Sequence, residues 1–113
     1  MQPTSVAHAY LDAAREILPE VIALRRRLHR IPEVGLELPR TQALVLEAVR
    51  DLGLDPTPGV TVGSVVATIE GARPGPTILL RADMDALPLT EETGLDFASS
   101  TTARCTLVVT TRT

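Results

Sequence analysis

Residues 79–88, Leu-Leu-Arg-Ala-Asp-Met-Asp-Ala-Leu-Pro, constrain this chain more than any other stretch. An apolar run rises out of Gly75-Pro76 and ends in two aspartates one residue apart. In a strand, alternate side chains share a face. Asp83 and Asp85 are therefore expected to point the same way, at the C-terminal end of a buried strand. That end is where open α/β sheets place their ligand sites. Two carboxylates there are costly unless they meet a cation or hydrogen-bond donors.

The rest of the chain reads as helices leading into strands. Apolar residues recur at helical spacing over 5–30, from Val6 and Tyr10 to Leu24 and Leu28. Pro19 is expected to divide this stretch into two helices, standing near the start of the second. Pro32 should close the second. A further helix is expected at about 40–52, with Leu44, Val45, Ala48, Val49 and Leu52 on its apolar face and Gly53 at its C-cap. Val62 to Ile69 reads as a strand, rich in β-branched residues. Gly71 to Gly75 reads as a hairpin-like connection. Thr77 to Ala82 reads as a second strand, apolar enough to be buried on both faces. Residues 86–100 read as a loop, with Glu91 and Glu92 solvated. Helices followed by adjacent apolar strands define an α/β domain. Two strands are too few for a finished sheet, so an incomplete fold is expected.

Composition narrows the function classes. A chain of 113 residues is enough for one domain and a modest core. Tyr10 and Phe97 are the only aromatics, so that core must be Leu, Val, Ile and Ala. A net charge of −3 gives no electrostatic ground for a nucleic-acid partner. Arg25-Arg26-Arg27 reads as a solvated helix face. No apolar stretch is long enough to span a membrane. No basic start precedes an apolar block at the N-terminus. Cys105 is the single cysteine and cannot form an internal disulfide, so a cytoplasmic location is expected. All 11 basic residues are arginine, which suggests a GC-rich gene.

Three segments together resemble one family. The first is Leu28-His29-Arg30-Ile31-Pro32-Glu33-Val34-Gly35-Leu36-Glu37, followed by Thr41. The second is Gly75-Pro76-Thr77 leading to Arg81-Ala82-Asp83-Met84-Asp85-Ala86-Leu87-Pro88. The third is Glu91-Glu92-Thr93-Gly94-Leu95 with Phe97-Ala98-Ser99. In this order and spacing they resemble the start of the metal-dependent amidohydrolases of the hippurate hydrolase and indoleacetyl-amino-acid hydrolase type, within the aminoacylase and carboxypeptidase superfamily. The resemblance covers about residues 20–100. It implies an α/β catalytic domain, of which residues 1–100 would hold the N-terminal helices and first strands. It also implies a second, smaller domain that often mediates homodimerisation and that this chain lacks. The implied reaction is hydrolysis of an amide between an acyl group and an amino acid or similar amine. Two divalent metals, whether zinc, manganese, cobalt or nickel, would polarise the carbonyl and activate a water. A glutamate farther along would be the general base.

In the family, the segment after Phe97-Ala98-Ser99 reaches a metal motif, Met-His-Ala-Cys-Gly-His-Asp-x-His, whose cysteine and following histidine are ligands. Here residues 101–113 read Thr-Thr-Ala-Arg-Cys-Thr-Leu-Val-Val-Thr-Thr-Arg-Thr, with no histidine. Back-translation accounts for the difference. If each codon starts one nucleotide earlier, the fixed doublets of Thr, Ala, Arg and Val become the last two bases of new codons. The tail can then be read as His-Asp-Gly-Ala-Met-His-Ala-Cys-Gly-His-Asp-Thr-His. Each shifted position permits only a handful of residues, so a match through the whole motif is improbable by chance. One lost C near Ser100 would produce it. Residues 101–113 are thus expected to be an out-of-frame tail, and the chain as translated to be inactive, with no metal ligand of its own.

The resemblance also ranks the site residues. In related peptidases the segment matching Asp83-Met84-Asp85 is His-x-Asp, in which the histidine binds metal. Asp83 stands at the histidine position, a departure that argues against a direct ligand role. Asp85 is the stronger candidate, as a carboxylate that orients a ligand or the metal-bound water. Arg81 is expected to pair with one of the two aspartates. His29 should close a helix as a structural residue, favoured there by the helix dipole. Glu33 and Glu37 should cap or pair locally. His8 belongs to none of the motifs and should be exposed. Thr106 to Thr111 has high β-propensity and no charge, and could pair as an edge strand or promote aggregation. The competing reading is a small non-catalytic α/β binding module, with the tail as a genuine final strand.

Overall fold

The apolar periodicity of the first thirty residues builds one helix, α1 (Thr4–His29), and not two. The structure is a computed structural model and describes residues 4–101 and 105–106. Pro19 lies inside α1. A proline there removes one i→i−4 hydrogen bond and crowds the preceding turn. The turns on either side are rich in Ala, Leu, Glu and Arg, which hold helical geometry well enough to carry it through. The first half of α1 buries little: Tyr10 is 75% exposed and Ile17 57%. Its last turn carries Arg26, Arg27 and His29, the charge sign that suits a helix C-terminus.

A turn over 31–38 leads into α2 (Pro39–Asp51), close to the expected span. Pro39 takes the first helical position, where its missing N–H costs nothing. The next two amides, of Arg40 and Thr41, donate to the Glu33 carboxylate at 3.2 and 2.6 Å. The local cap expected of Glu33 is therefore present, delivered from the preceding turn. Two otherwise orphaned helix donors depend on it. Glu33→Ala is expected to destabilise the chain by about 1–2 kcal/mol, the cost of a lost N-cap. Chemical denaturation would show this as a lower midpoint with unchanged slope. Gly53 follows the C-terminus at φ 78°, and its amide donates to the Arg50 carbonyl at 2.8 Å. The left-handed conformation explains the glycine there.

The strands are shorter than their sequence suggests. β1 (Thr57–Pro58) pairs antiparallel with β2 (Val65–Val66), Thr57 opposite Val66. The expected strand over Val62–Ile69 is thus paired only at its centre. Gln42 of α2 staples this hairpin, its amide nitrogen donating to the Gly59 and Ser64 carbonyls at 3.0 and 2.9 Å. Gly63 packs so close to Leu38 that a Cβ would lie 2.7 Å from the Leu38 Cβ. β3 (Ala86–Leu87) pairs antiparallel with β4 (Cys105–Thr106), Ala86 opposite Thr106. Residues 102–104 and 107–113 of the expected tail lie outside the described residues.

The strand expected at Thr77–Ala82 is not formed, nor is the hairpin over 71–75. Ile78, Leu79 and Leu80 are 85–90% exposed instead of buried. A strand apolar on both faces needs neighbours at its edges and layers above and below. Among the described residues none pairs with it. The core is correspondingly small: among the described residues, Leu38 and Ala86 are the buried hydrophobics, with Thr41 and His29 the buried polar residues. The accessible surface is 9463 Å². A compact chain of this mass would expose about 6,000 Å². The architecture is a partial α/β unit, in keeping with the expectation of an incomplete fold.

Candidate functional site

Asp83 and Asp85 lack the expected strand but share a location. Both line a cleft of about 540 Å³ between α1, α2 and the 80–86 segment. Leu24 and Leu28 of α1 and Val45 and Val49 of α2 give it an apolar floor. Glu33 lines it too. The Ala86 amide donates to the Glu33 carbonyl at 2.7 Å, which fixes the backbone directly after Asp85. Glu33 thus ties α2 to the aspartate segment through its side chain and its backbone together.

The two aspartates differ in environment. Asp83 has a side chain 48% exposed and sits 3.6 Å from the Arg81 guanidinium. Its Oδ1 also accepts the Met84 amide at 3.2 Å. So exposed an ion pair contributes little to stability. The pairing expected of Arg81 is thus made with Asp83. Asp85 is half-buried. Apolar floor and carboxylate wall together suit a ligand with a polar reacting end.

A second cluster joins the end of α1 to residues 91–100. His29 Nε2 lies 2.9 Å from both carboxylate oxygens of Glu91. A carboxylate can only accept, so Nε2 carries the proton. The two side chains are 10% and 4% exposed. Glu91 Oε1 also accepts the Thr93 hydroxyl at 2.5 Å, and Oε2 the Ser99 amide at 2.7 Å. Thr93 first, then His29 and the Ser99 amide, pull the Glu91 carboxyl from 4.5 down to about 2. Phe97 packs edge-on against His29 at 5.7 Å, under the Arg26 guanidinium at 4.7 Å. His29 stands at the end of α1, as expected, and meets Glu91 there. Glu91 is not solvated, contrary to expectation. Its partner lies 62 residues away, and no local spacing announces such a pair. Glu37 and His8 are exposed.

Among the described residues, no three His, Cys, Asp or Glu side chains come together so as to hold a metal ion. Asp83 and Asp85 alone, one of them facing Arg81, do not fit a dinuclear centre. No described helix is long and apolar enough to cross a membrane.

The class that fold and site define is a partial α/β unit with two carboxylates on the wall of an apolar cleft. Comparison with known proteins sharpens this. The chain is 45% identical over 86 residues to thermostable carboxypeptidase 1 of Saccharolobus solfataricus, covering 75% of this chain and 22% of that protein. It is 44% identical over 84 residues to N-acetyldiaminopimelate deacetylase of Streptococcus uberis, covering 71% and 22%. It is 41% identical over 80 residues to N-acetyl-L-cysteine deacetylase of Bacillus subtilis, covering 71% and 19%. Among solved structures it superposes on the YXEP protein of Bacillus subtilis, a dinuclear metal-binding peptidase of the M20 family. That match has a TM-score of 0.75 and 30% identity, and covers 81% of this chain and 26% of that one. No family model matches the chain. The chain belongs to the M20 family of amidohydrolases and peptidases, which is a hydrolase family. It spans about a fifth of the length of the curated relatives it matches.

Proposed function

We propose that this chain is the opening part of a catalytic domain which, when complete, hydrolyses the amide bond of N-acyl amino acids or similar small amides. The single observation that carries the reading is the 45% identity to a carboxypeptidase over 75% of the chain. A match of that extent necessarily includes Asp83 and Asp85. In the reaction, water adds to the acyl carbon and the C–N bond breaks, releasing a carboxylic acid and an amine. Asp85 is the residue assigned to orient the reacting groups. Asp83 occupies a position facing the same cleft, with Arg81 as its partner. Two divalent metals belong to the proposal for the complete protein, and residues 4–101 do not supply a full ligand set for them.

Residues 101–113 belong to the proposal as an out-of-frame tail. The shifted frame would restore histidine, cysteine and aspartate side chains of the type such a centre needs. The competing reading, a small non-catalytic binding module, draws support from the pairing of Cys105–Thr106 with Ala86–Leu87. That pairing is two residues long, and it leaves the coherence of the shifted frame unexplained.

Nucleotide sequencing from the Phe97 codon to several hundred bases past Thr113 tests the reading. The expected result is a metal motif in the shifted frame, followed by continuous coding sequence. The frame-restored protein should then release amino acid from an N-acyl amino acid in a chelator-sensitive assay. Absence of the motif from every frame would overturn the frameshift and favour the binding module.

A further inference from the structure

We infer that His29 and Glu91 form a buried latch holding residues 91–101 on the C-terminal end of α1, and that removing the charge of Glu91 alone opens it while α2 stays folded. The geometry is convergent. Glu91 receives three separate donors, from His29, Thr93 and the Ser99 amide. The same segment is tied to α1 at further points. The Ser100 amide donates to the Arg30 carbonyl at 3.1 Å, and the Ser100 hydroxyl donates to that same oxygen. The Arg30 guanidinium donates to the Asp96 carbonyl at 3.2 Å. Phe97 is held between His29 and Arg26.

Every donor to Glu91 is satisfied by an ionised carboxylate. Protonation removes acceptor capacity and replaces it with an O–H that faces donors. Among the described residues, the charged groups around the latch come from α1 and from the segment itself. From the α1 side come Arg26 and Arg30, both cationic, and Arg27 is paired with Glu47 of α2 at 3.4 Å. From the segment itself come Glu92 and Asp96, both exposed. The neighbouring cations favour the ionised carboxylate, in the same direction as the donors.

The linkage has a definite sign. The Glu91 carboxyl is lowered in the folded chain, from 4.5 to about 2. Its contribution is complete above 4.5 and is lost as pH falls toward 2. α2 is capped by Glu33 through separate hydrogen bonds, and it does not share the latch. The segment should therefore release as a local unit.

Hydrogen exchange followed by mass spectrometry on the 113-residue chain tests this, comparing peptides over 91–101 with peptides over 39–51. In the wild type, protection over 91–101 should fall about tenfold or more as pH is lowered from neutral toward 2, the scale of one hydrogen bond to a charged group. Protection over 39–51 is compared between wild type and Glu91→Gln at neutral pH, where the Glu33 cap is intact in both, and should be the same. Glu91→Gln should show the low protection at neutral pH already, with little pH dependence. His29→Gln, which retains a side-chain donor, should fall between the two. Equal protection over 91–101 in wild type and Glu91→Gln at neutral pH would overturn the latch. So would loss of protection in both segments of Glu91→Gln at neutral pH, because release would then be global unfolding.

Discussion

Asp85→Asn in the frame-restored, full-length protein should lower kcat/KM for an N-acyl amino acid by about 10- to 100-fold, the usual cost of removing a carboxylate that orients a ligand or reactant. Asp83→Asn should have a much smaller effect. The difference follows from their surroundings. Asp83 is 48% exposed and already faces Arg81, so solvent and an arginine share its charge. Asp85 is half-buried on the cleft wall, and the amide after it is fixed to Glu33. A held carboxylate can orient what it touches, whereas a solvated one averages over many geometries. Steady-state kinetics on both variants, with thermal melts to show equal folding, decide the matter. Comparable losses would mean that Asp83 shares the function. A neutral Asp85→Asn would withdraw its assigned role.

How much of this was readable beforehand depends on the range of the interactions. α2 was legible because its signals are local: apolar spacing along the helix and Gly53 just past its end. The Glu33 cap was legible for the same reason, since it reaches only seven and eight residues ahead. Pro19 misled because a proline weakens one turn, while the strong formers around it decide the whole helix. Thr77–Ala82 misled in a different way. Its composition describes the layers a strand requires, and among the described residues those layers are missing. The His29–Glu91 pair was not legible at all. Glu91 sits among Glu92, Thr93 and Gly94, which resembles a solvated turn, and only the tertiary fold reveals His29 beside it. The aspartates occupy a middle position. Their shared location was anticipated from the alternation of a strand, yet the structure achieves it through a cleft-lining segment without that strand.

The same exposed segment yields the second large effect. Toward millimolar concentrations the 113-residue chain should self-associate, through Ile78, Leu79 and Leu80. Fully burying each such side chain is worth roughly 1.5–3 kcal/mol. Association itself costs about 4–15 kcal/mol in lost freedom. Three side chains therefore come near to offsetting that cost without clearly exceeding it. The unpaired backbone alongside them adds hydrogen bonds when a second chain aligns there. Weak, concentration-dependent assembly is the expected form, rather than a closed dimer, because nothing in the segment caps its far edge. Sedimentation velocity over a concentration series should show a rising mean mass. The double substitution Ile78→Lys/Leu80→Lys should abolish that rise, since each new chain would have to bury two charges. If the wild type stays monomeric across the series, the segment is covered in solution by another part of the chain. If the double variant associates as strongly as the wild type, a different surface is responsible, and the exposed apolar side chains of α1 from Val6 to Ile22 become the next place to substitute.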